Sequence, residues 1–207
     1  MTTWAIVVAA GRGERFGGPK LQTVLAGRRA LEWSVDAARA ACDGVVLVAA
    51  IGDDPGVDVD RCVAGGATRS DSVRAGLAAV PEDADVVVVH DAARPAAPSS
   101  LFDAVIDAVR AGADAAVPAV RVTDTIKRVD GDAVVETLDR SSLVAVQTPQ
   151  AFRADALRAA HAEAGDATDD AALVERRGGR VVVVPGDTSN RKLTTPDDVA
   201  ALERALA

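Results

Sequence analysis

The sequence predicts an α/β protein: a single doubly wound, mostly parallel sheet from which one β-hairpin arm projects. Three observations carry this. Short Val- and Ile-rich runs recur without the apolar–polar alternation of a half-exposed strand, as in strands covered on both faces. Segments of helical length and spacing separate them. One interval breaks the alternation, where two short β-rich stretches flank Asp130-Gly131-Asp132.

Residues 5–10 form the first strand and run straight into a glycine-rich turn. Residues 30–42 read as a helix, with Leu31, Val35 and Ala38 at three- and four-residue spacing. Residues 44–51 are the next strand, and 70–80 the next helix, where Val73, Leu77 and Val80 share a face. Residues 85–90 read as a strand and 99–111 as a helix, for which Ser100-Leu101-Phe102-Asp103 offers an acidic variant of a helix-start box. A strand at 113–120 follows. Residues 125–129 and 134–138 then pair about the Asp-Gly-Asp turn, giving an arm over about 121–143. A helix at 153–164, a strand at 180–185 and a final helix from Pro196 to Leu206 complete the chain. No repeat, low-complexity tract or linker divides it, so one domain spanning 1–207 is expected.

The 207 residues are 49% hydrophobic but only 2% aromatic, which implies a core of small aliphatic side chains. A formal charge of −8 disfavours nucleic acid and anionic membranes as partners, and requires any anionic substrate to be held by a local cluster of cations and backbone N–H groups. Cys42 and Cys62 have neither metal-ligand spacing nor a disulfide framework, and both are expected as small buried residues in a reducing compartment. Met1-Thr2-Thr3-Trp4 leads into the first apolar run without a basic n-region or a cleavage site. The longest apolar runs fall far short of the roughly 20 residues of a membrane span. A cytoplasmic protein is expected.

The turn after the first strand reads Ala9-Ala10-Gly11-Arg12-Gly13-Glu14-Arg15-Phe16-Gly17-Gly18-Pro19-Lys20. A glycine-rich turn at a strand's C-terminal end lets backbone N–H groups face phosphate oxygens, and Arg15 and Lys20 supply charge to neutralise a polyphosphate. It is not a Walker A loop, since Gly-Lys-Ser/Thr is missing, and Phe16 stands where a dinucleotide fingerprint needs a third small residue. A nicotinamide-dependent oxidoreductase would also place an acidic residue about 20 residues beyond the loop, and Asp53 and Asp54 lie about twice that far.

The chain resembles the 2-C-methyl-D-erythritol 4-phosphate cytidylyltransferases. Their opening motif, Ala-Ala-Gly-x-Gly-x-x-Arg followed by Pro-Lys, is similar to Ala9–Arg15 and Pro19-Lys20. Gly65-Gly66-Ala67-Thr68-Arg69-Ser70-Asp71-Ser72-Val73 resembles the second motif, and His90-Asp91-Ala92-Ala93-Arg94-Pro95 the third. Asp124-Thr125-Ile126-Lys127 and Asp139-Arg140 match the two sides of the family's arm. Gln147-Thr148-Pro149-Gln150, Thr168-Asp169-Asp170-Ala171 and Lys192-Leu193-Thr194-Thr195-Pro196-Asp197-Asp198 follow in the family's order. Val8 departs from the usual Pro, the link from Arg15 to Lys20 is shorter than in many relatives, and Ala67 replaces an acidic or polar residue.

The resemblance implies a Rossmann-like nucleotidyltransferase fold and the joining of CTP to a polyol phosphate with release of pyrophosphate. It implies that Ala9, Ala10, Gly11 and Gly13 wrap the triphosphate, with Arg15, Lys20 and Lys192 on its phosphates. Gly66, Ala67 and Ser72 would line the base. Asp91 would face the ribose and a divalent cation, Mg²⁺ or similar, held mostly through CTP phosphates. Arg94 would grip the second substrate's phosphate, and Thr125 and Arg140 from the arm of a second copy in a homodimer, with Thr168, would complete that pocket. Ribitol 5-phosphate is the rival acceptor, though those relatives more often carry Ala-Gly-Gly where this chain has Ala9-Ala10-Gly11. A non-catalytic nucleotide-binding protein is the reading from another class. His90 is expected to be structural, His161 solvent-facing, Arg28, Arg29, Arg176 and Arg177 surface charges, and Asp169-Asp170 a helix start. Thr148-Pro149 fits either a tight turn or a ligand contact.

Overall fold

The unbroken Val and Ile runs become the centre of one sheet because each presents apolar side chains to both of its faces. The computed structural model describes residues 1–207 except 12, 53, 54, 164–166 and 168. In chain order the elements are β1 (Thr3–Val8), β2 (Val24–Leu25), β3 (Arg28–Arg29), α1 (Ala30–Ala41), β4 (Gly44–Ala49), β5 (Arg61–Ala64) and α2 (Arg69–Ala79). They continue with β6 (Val86–Asp91), α3 (Ser99–Arg110), β7 (Ala115–Arg121), β8 (Lys127–Asp130), β9 (Ala133–Thr137), β10 (Val144–Val146) and β11 (Gln150–Arg153). The last are α4 (Ala154–Ala162), α5 (Ala171–Arg176), β12 (Val181–Pro185) and α6 (Val199–Leu206).

Among the described residues the main sheet has eight strands, in the order β10-β7-β11-β6-β1-β4-β5, with β12 also on β7. The strands β5, β4, β1 and β6 run parallel, as do β12 and β7, while β11 is antiparallel to both β6 and β7 and so closes the gap between them. The predicted doubly wound, mostly parallel sheet is therefore present. Alternate side chains fill two cores. Val87 and Val89 pack with Ile6, Val73, Leu77 and Leu157 on the face covered by α2, α4 and α5. Val86 and Val88 pack with Val7, Leu31, Val35, Phe102 and Val105 on the face covered by α1 and α3.

Strand order reverses at β1, which has β4 on one side and β6 on the other. In such sheets the crevice at the strands' carboxyl ends beside the switch point is open for a ligand. A third cluster of Leu25, Ala30, Leu193 and Leu202 pins the C-terminal segment beside this crevice.

Several local expectations are corrected. β5, β10 and β11 were not expected: β5 is a mostly exposed edge strand of four residues, and the short β11 owes its conformation to neighbours on both sides. Helix α3 starts at Ser99 with Pro98 at its N-cap and no side-chain cap, so Ser100–Asp103 forms no box. The box forms on α2 instead: Thr68 Oγ1 accepts from the Asp71 N–H, while the Asp71 carboxylate accepts from the Thr68 N–H, each at 3.1 Å. The last helix is broken, a 3₁₀ turn at Pro196–Asp198 preceding α6.

The arm is present. β8 and β9 pair antiparallel with Asp130 opposite Ala133, leaving Gly131-Asp132 as a two-residue turn with Gly131 at φ 57°. Every residue of β8, β9 and β10 is exposed. Among the described residues no helix is long and apolar enough to cross a membrane.

Candidate active site

A cleft of about 820 Å³ opens at the carboxyl ends of β1 and β6, and the three sequence motifs supply its walls. The first wall is the turn after β1. Gly13 has φ 67°, and a Cβ there would lie 2.3 Å from the Gly18 carbonyl oxygen, so only glycine lets the turn fold back on itself. The chain then makes two 3₁₀ turns, Glu14–Phe16 and Lys20–Gln22, which set Arg15 and Lys20 on the cleft.

The second wall is the turn from β5 into α2. Gly66 passes so close to α2 that a Cβ would meet Asp71 Cβ at 2.2 Å. Its N–H donates to Ser72 Oγ at 3.2 Å, and the Ser72 hydroxyl donates to the Thr68 carbonyl at 3.0 Å. Gly66, Ala67, Thr68, Arg69 and Ser72 all face the cleft, so the positive end of α2 points into it.

The floor is Asp91, at the end of β6, joined by Lys192 from the far end of the chain. Leu193 brings Lys192 there: its side chain is fully buried in the third cluster, and its N–H donates to the Ala93 carbonyl at 2.7 Å. The Asp91 carboxylate accepts from Lys192 Nζ at 2.5 Å and from Arg69 Nε at 3.3 Å. Burial alone would raise its pKa, but the Lys192 and Arg69 charges outweigh burial and hold it well below the usual carboxylate range. Lys20 Nζ donates to the Leu193 carbonyl at 3.2 Å. Burial, then the neighbouring Lys192 charge, lowers its pKa, with Asp91 opposing and Arg15 adding to the effect. Lys20, Lys192 and Arg15 thus repel one another across a cleft that an anion would relieve.

Ala9, Ala10, Gly11, Gly13, Arg15, Lys20, Gly66, Ala67, Ser72, Asp91 and Lys192 all line this cleft. Arg94 does not. It lies on the turn after β6, half-buried, and donates to the Asn190 carbonyl at 2.8 Å. Thr125 and Arg140 are exposed on the arm and do not line the cleft of their own chain. Thr168 and Arg12 lie outside the described residues.

Sequence reasoning gave no role to Arg69. It bridges Asp91 and the buried Asp170, whose carboxylate takes its Nη1 at 2.8 Å. His161, expected at the surface, is buried, and its Nε2 lies 3.0 Å from Asp170 Oδ1. Only Asp169 acts as the expected helix cap, accepting from the Ala172 N–H at 3.0 Å. Arg29, expected as a solvated charge, is half-buried and ties the Pro55 and Gly56 carbonyls to the turn holding Gln22. Cys42 is partly buried, but Cys62 is exposed on the edge strand. His90 is fully buried as expected, and Thr148 hydrogen-bonds it and the Asp91 N–H. The Thr148-Pro149 bond is cis.

Among the described residues no group of three or more His, Cys, Asp or Glu side chains could hold a metal ion. Asp91 offers a single carboxylate, already engaged by two cations. That donor set suits a divalent ion coordinated chiefly by a bound polyphosphate, not one caged by the protein.

A family model described as 2-C-methyl-D-erythritol 4-phosphate cytidylyltransferase matches residues 3–207. The chain is 47% identical to the 2-C-methyl-D-erythritol 4-phosphate cytidylyltransferase of Saccharopolyspora erythraea, with all of both chains covered. It is 44% identical to the bifunctional enzyme IspD/IspF of Solidesulfovibrio magneticus; all of this chain is covered, but it spans 58% of the length of that relative. Its fold is similar to the crystal structure of 2-C-methyl-D-erythritol 4-phosphate cytidylyltransferase from Thermus thermophilus, with a TM-score of 0.87, 34% identity and all of both chains covered.

Proposed function

The chain belongs to the 2-C-methyl-D-erythritol 4-phosphate cytidylyltransferase family and is a nucleotidyltransferase, and we propose that its cleft performs the transfer as follows. A phosphate oxygen of 2-C-methyl-D-erythritol 4-phosphate attacks the α-phosphorus of CTP. The bond from that phosphorus to the bridging oxygen breaks, and pyrophosphate leaves with the electron pair. The product is 4-diphosphocytidyl-2-C-methyl-D-erythritol, an isoprenoid precursor.

The observation that carries this reading is the convergence of Arg15, Lys20 and Lys192 on one cleft beneath a glycine turn. A phosphate nucleophile is already ionised at neutral pH, so the site needs positioning and charge neutralisation and no general base. That agrees with a His90 that is buried and faces Thr148 instead of the cleft. Backbone N–H groups of Ala9 to Gly13 take the triphosphate, Arg15 and Lys20 its charge, and Lys192 the developing charge at the reaction centre. Gly66, Ala67 and Ser72, which line the cleft, take the cytosine base. A divalent cation such as Mg²⁺, bound with the nucleotide near Asp91, supplies further neutralisation of the phosphates.

Arg94 takes the acceptor's phosphate. Thr125 and Arg140 come from a second copy. An isolated two-stranded arm is only marginally stable in water, and the exposed Val129, Val134 and Val135, with Val144 and Val146 of β10 beyond it, give an apolar surface to bury in a two-fold dimer. The exposed free thiol of Cys62 supports a reducing compartment, the cytoplasm.

A pyrophosphate-release assay crossing four nucleoside triphosphates with several polyol phosphates tests the reading. Turnover is expected with CTP and 2-C-methyl-D-erythritol 4-phosphate in the presence of Mg²⁺. Equal turnover with ribitol 5-phosphate, equal use of ATP, or full activity in excess chelator would each overturn the corresponding assignment.

A further inference from the structure

Behind the floor of the cleft lie two side chains that the scheme above does not use, Gln147 and Asn190. Both are buried, Asn190 completely. Burying a primary amide costs free energy unless its polar atoms find partners, so a pair of them in a small-aliphatic core specifies a geometry. Asn190 Nδ2 donates to the Thr148 carbonyl at 2.9 Å and to Gln147 Oε1 at 3.3 Å. The Asn190 backbone carbonyl accepts from Arg94 Nη1 at 2.8 Å and Gln147 Nε2 at 3.4 Å. Gln147 in turn accepts from the Asp187 N–H at 3.1 Å and donates to the Asp187 carbonyl at 2.8 Å, while its own backbone N–H holds the Pro118 carbonyl of β7 at 2.7 Å.

Four segments therefore meet at these two residues: the 147–148 strap and the loop that ends in Lys192 through the side-chain amides, the turn carrying Arg94 and strand β7 through their backbone atoms. Two residues beyond Asn190, Lys192 reaches Asp91. Arg94 Nε and Asn190 Oδ1 are buried without a partner among the described residues.

We propose that Asn190 and Gln147 form an amide clamp that sets Arg94 and Lys192 in register, which makes the two amides positioning residues for the acceptor side of the reaction. This rests on the assignment of Arg94 to the acceptor's phosphate and of Lys192 to the reaction centre. CTP takes most of its contacts from the turn after β1 and from α2, which lie outside the clamp.

The test compares the full-length wild type with Asn190→Ala and Asn190→Asp, and with Leu157→Ala as a stability control from the core under α4. Steady-state constants for both substrates, CTP affinity without acceptor, and the acetylation rate of Lys192 relative to the exposed Lys127 are measured. Both Asn190 variants are expected to raise acceptor KM and lower kcat, by about ten- to a hundredfold in kcat/KM, the range for a lost buried hydrogen-bond partner. CTP affinity should stay within about threefold of wild type, and Lys192 should acetylate at least about threefold faster. Leu157→Ala should leave all of these unchanged despite a lower Tm. Unchanged Lys192 acetylation, or equal losses of CTP and acceptor binding, would overturn the clamp. Faster acetylation with unchanged acceptor constants would uphold the clamp and overturn the roles given to Arg94 and Lys192.

Discussion

Lys20 feels the charges of Lys192 and Arg15, with Asp91 opposing, so these cations stand where an anion would relieve their repulsion. Removing one preorganised cation from such a site costs on the order of 10²–10³ in rate. Lys20→Ala and Lys192→Ala are each expected to lose roughly a hundredfold or more in kcat with the thermal transition retained; near-wild-type turnover would refute the role. His90 makes the opposite prediction, one of stability. Burial pushes its pKa down to about 4, with Asp91 opposing and Arg94 adding to the effect. In the unfolded chain it titrates near 6.5, so as pH falls the unfolded state takes up a proton that the native state refuses. Its contribution to stability is intact above about pH 6.5 and is lost progressively down to about pH 4, by roughly 2 kcal/mol at pH 5. Urea unfolding at pH 7 and pH 5 should show this loss in wild type, and a smaller one in His90→Asn. Equal losses in the two proteins would remove the explanation.

At the scale of elements, α2 links stability to the site, because its first turn carries Thr68, Arg69 and Ser72 on the cleft. Thr68→Ala removes the acceptor of the Asp71 N–H and should cost about 1 kcal/mol, or about 2–4 °C in Tm for a chain of this length. Thr68→Ser should restore most of it. If the turn also shapes the base wall, the KM for CTP rises in Thr68→Ala while the acceptor KM moves less; a change confined to the acceptor would contradict that wall. The arm is the other element whose role exceeds its own stability. Its two-residue turn was legible as Asp-Gly-Asp, whereas its destination came only from the family resemblance, and every residue of its two strands is exposed.

The whole molecule adds the question of copies. Thr125 and Arg140 lie exposed on the arm, and the homodimer proposed above brings them to the acceptor of a second copy. Mixing the two inactive variants Lys20→Ala and Arg140→Ala, under conditions of subunit exchange, tests this. In a mixed dimer both defects fall in one site and leave the other whole. Activity should recover to about a quarter of wild type, because half of the dimers are mixed and each has one intact site of two. No recovery despite proven exchange would confine the site to one chain.

The sequence by itself determined the doubly wound sheet, the arm and the glycine turn with Arg15 and Lys20, because strand runs covered on both faces and glycine turns are local signals written in consecutive residues. The rest of the predicted lining came from the family resemblance. Arg15, Lys20, Asp91 and Lys192 were legible from motifs, although Lys192 lies 101 positions from Asp91 and further still from Arg15 and Lys20. Only the tertiary structure decided what depends on partners distant in sequence. β11 lacks a strand signal of its own and is made by β6 and β7. His161 looks like a polar helix residue until Asp170 buries it, and Arg69 looks like a surface charge until Asp91 and Asp170 take its guanidinium. Asn190 and Gln147 are separated by 43 positions, and although Gln147 opens one of the family's motifs, nothing in the sequence pairs the two. Periodicity reports burial along one element, whereas a buried hydrogen bond between elements needs two segments at once, and only packing brings them together.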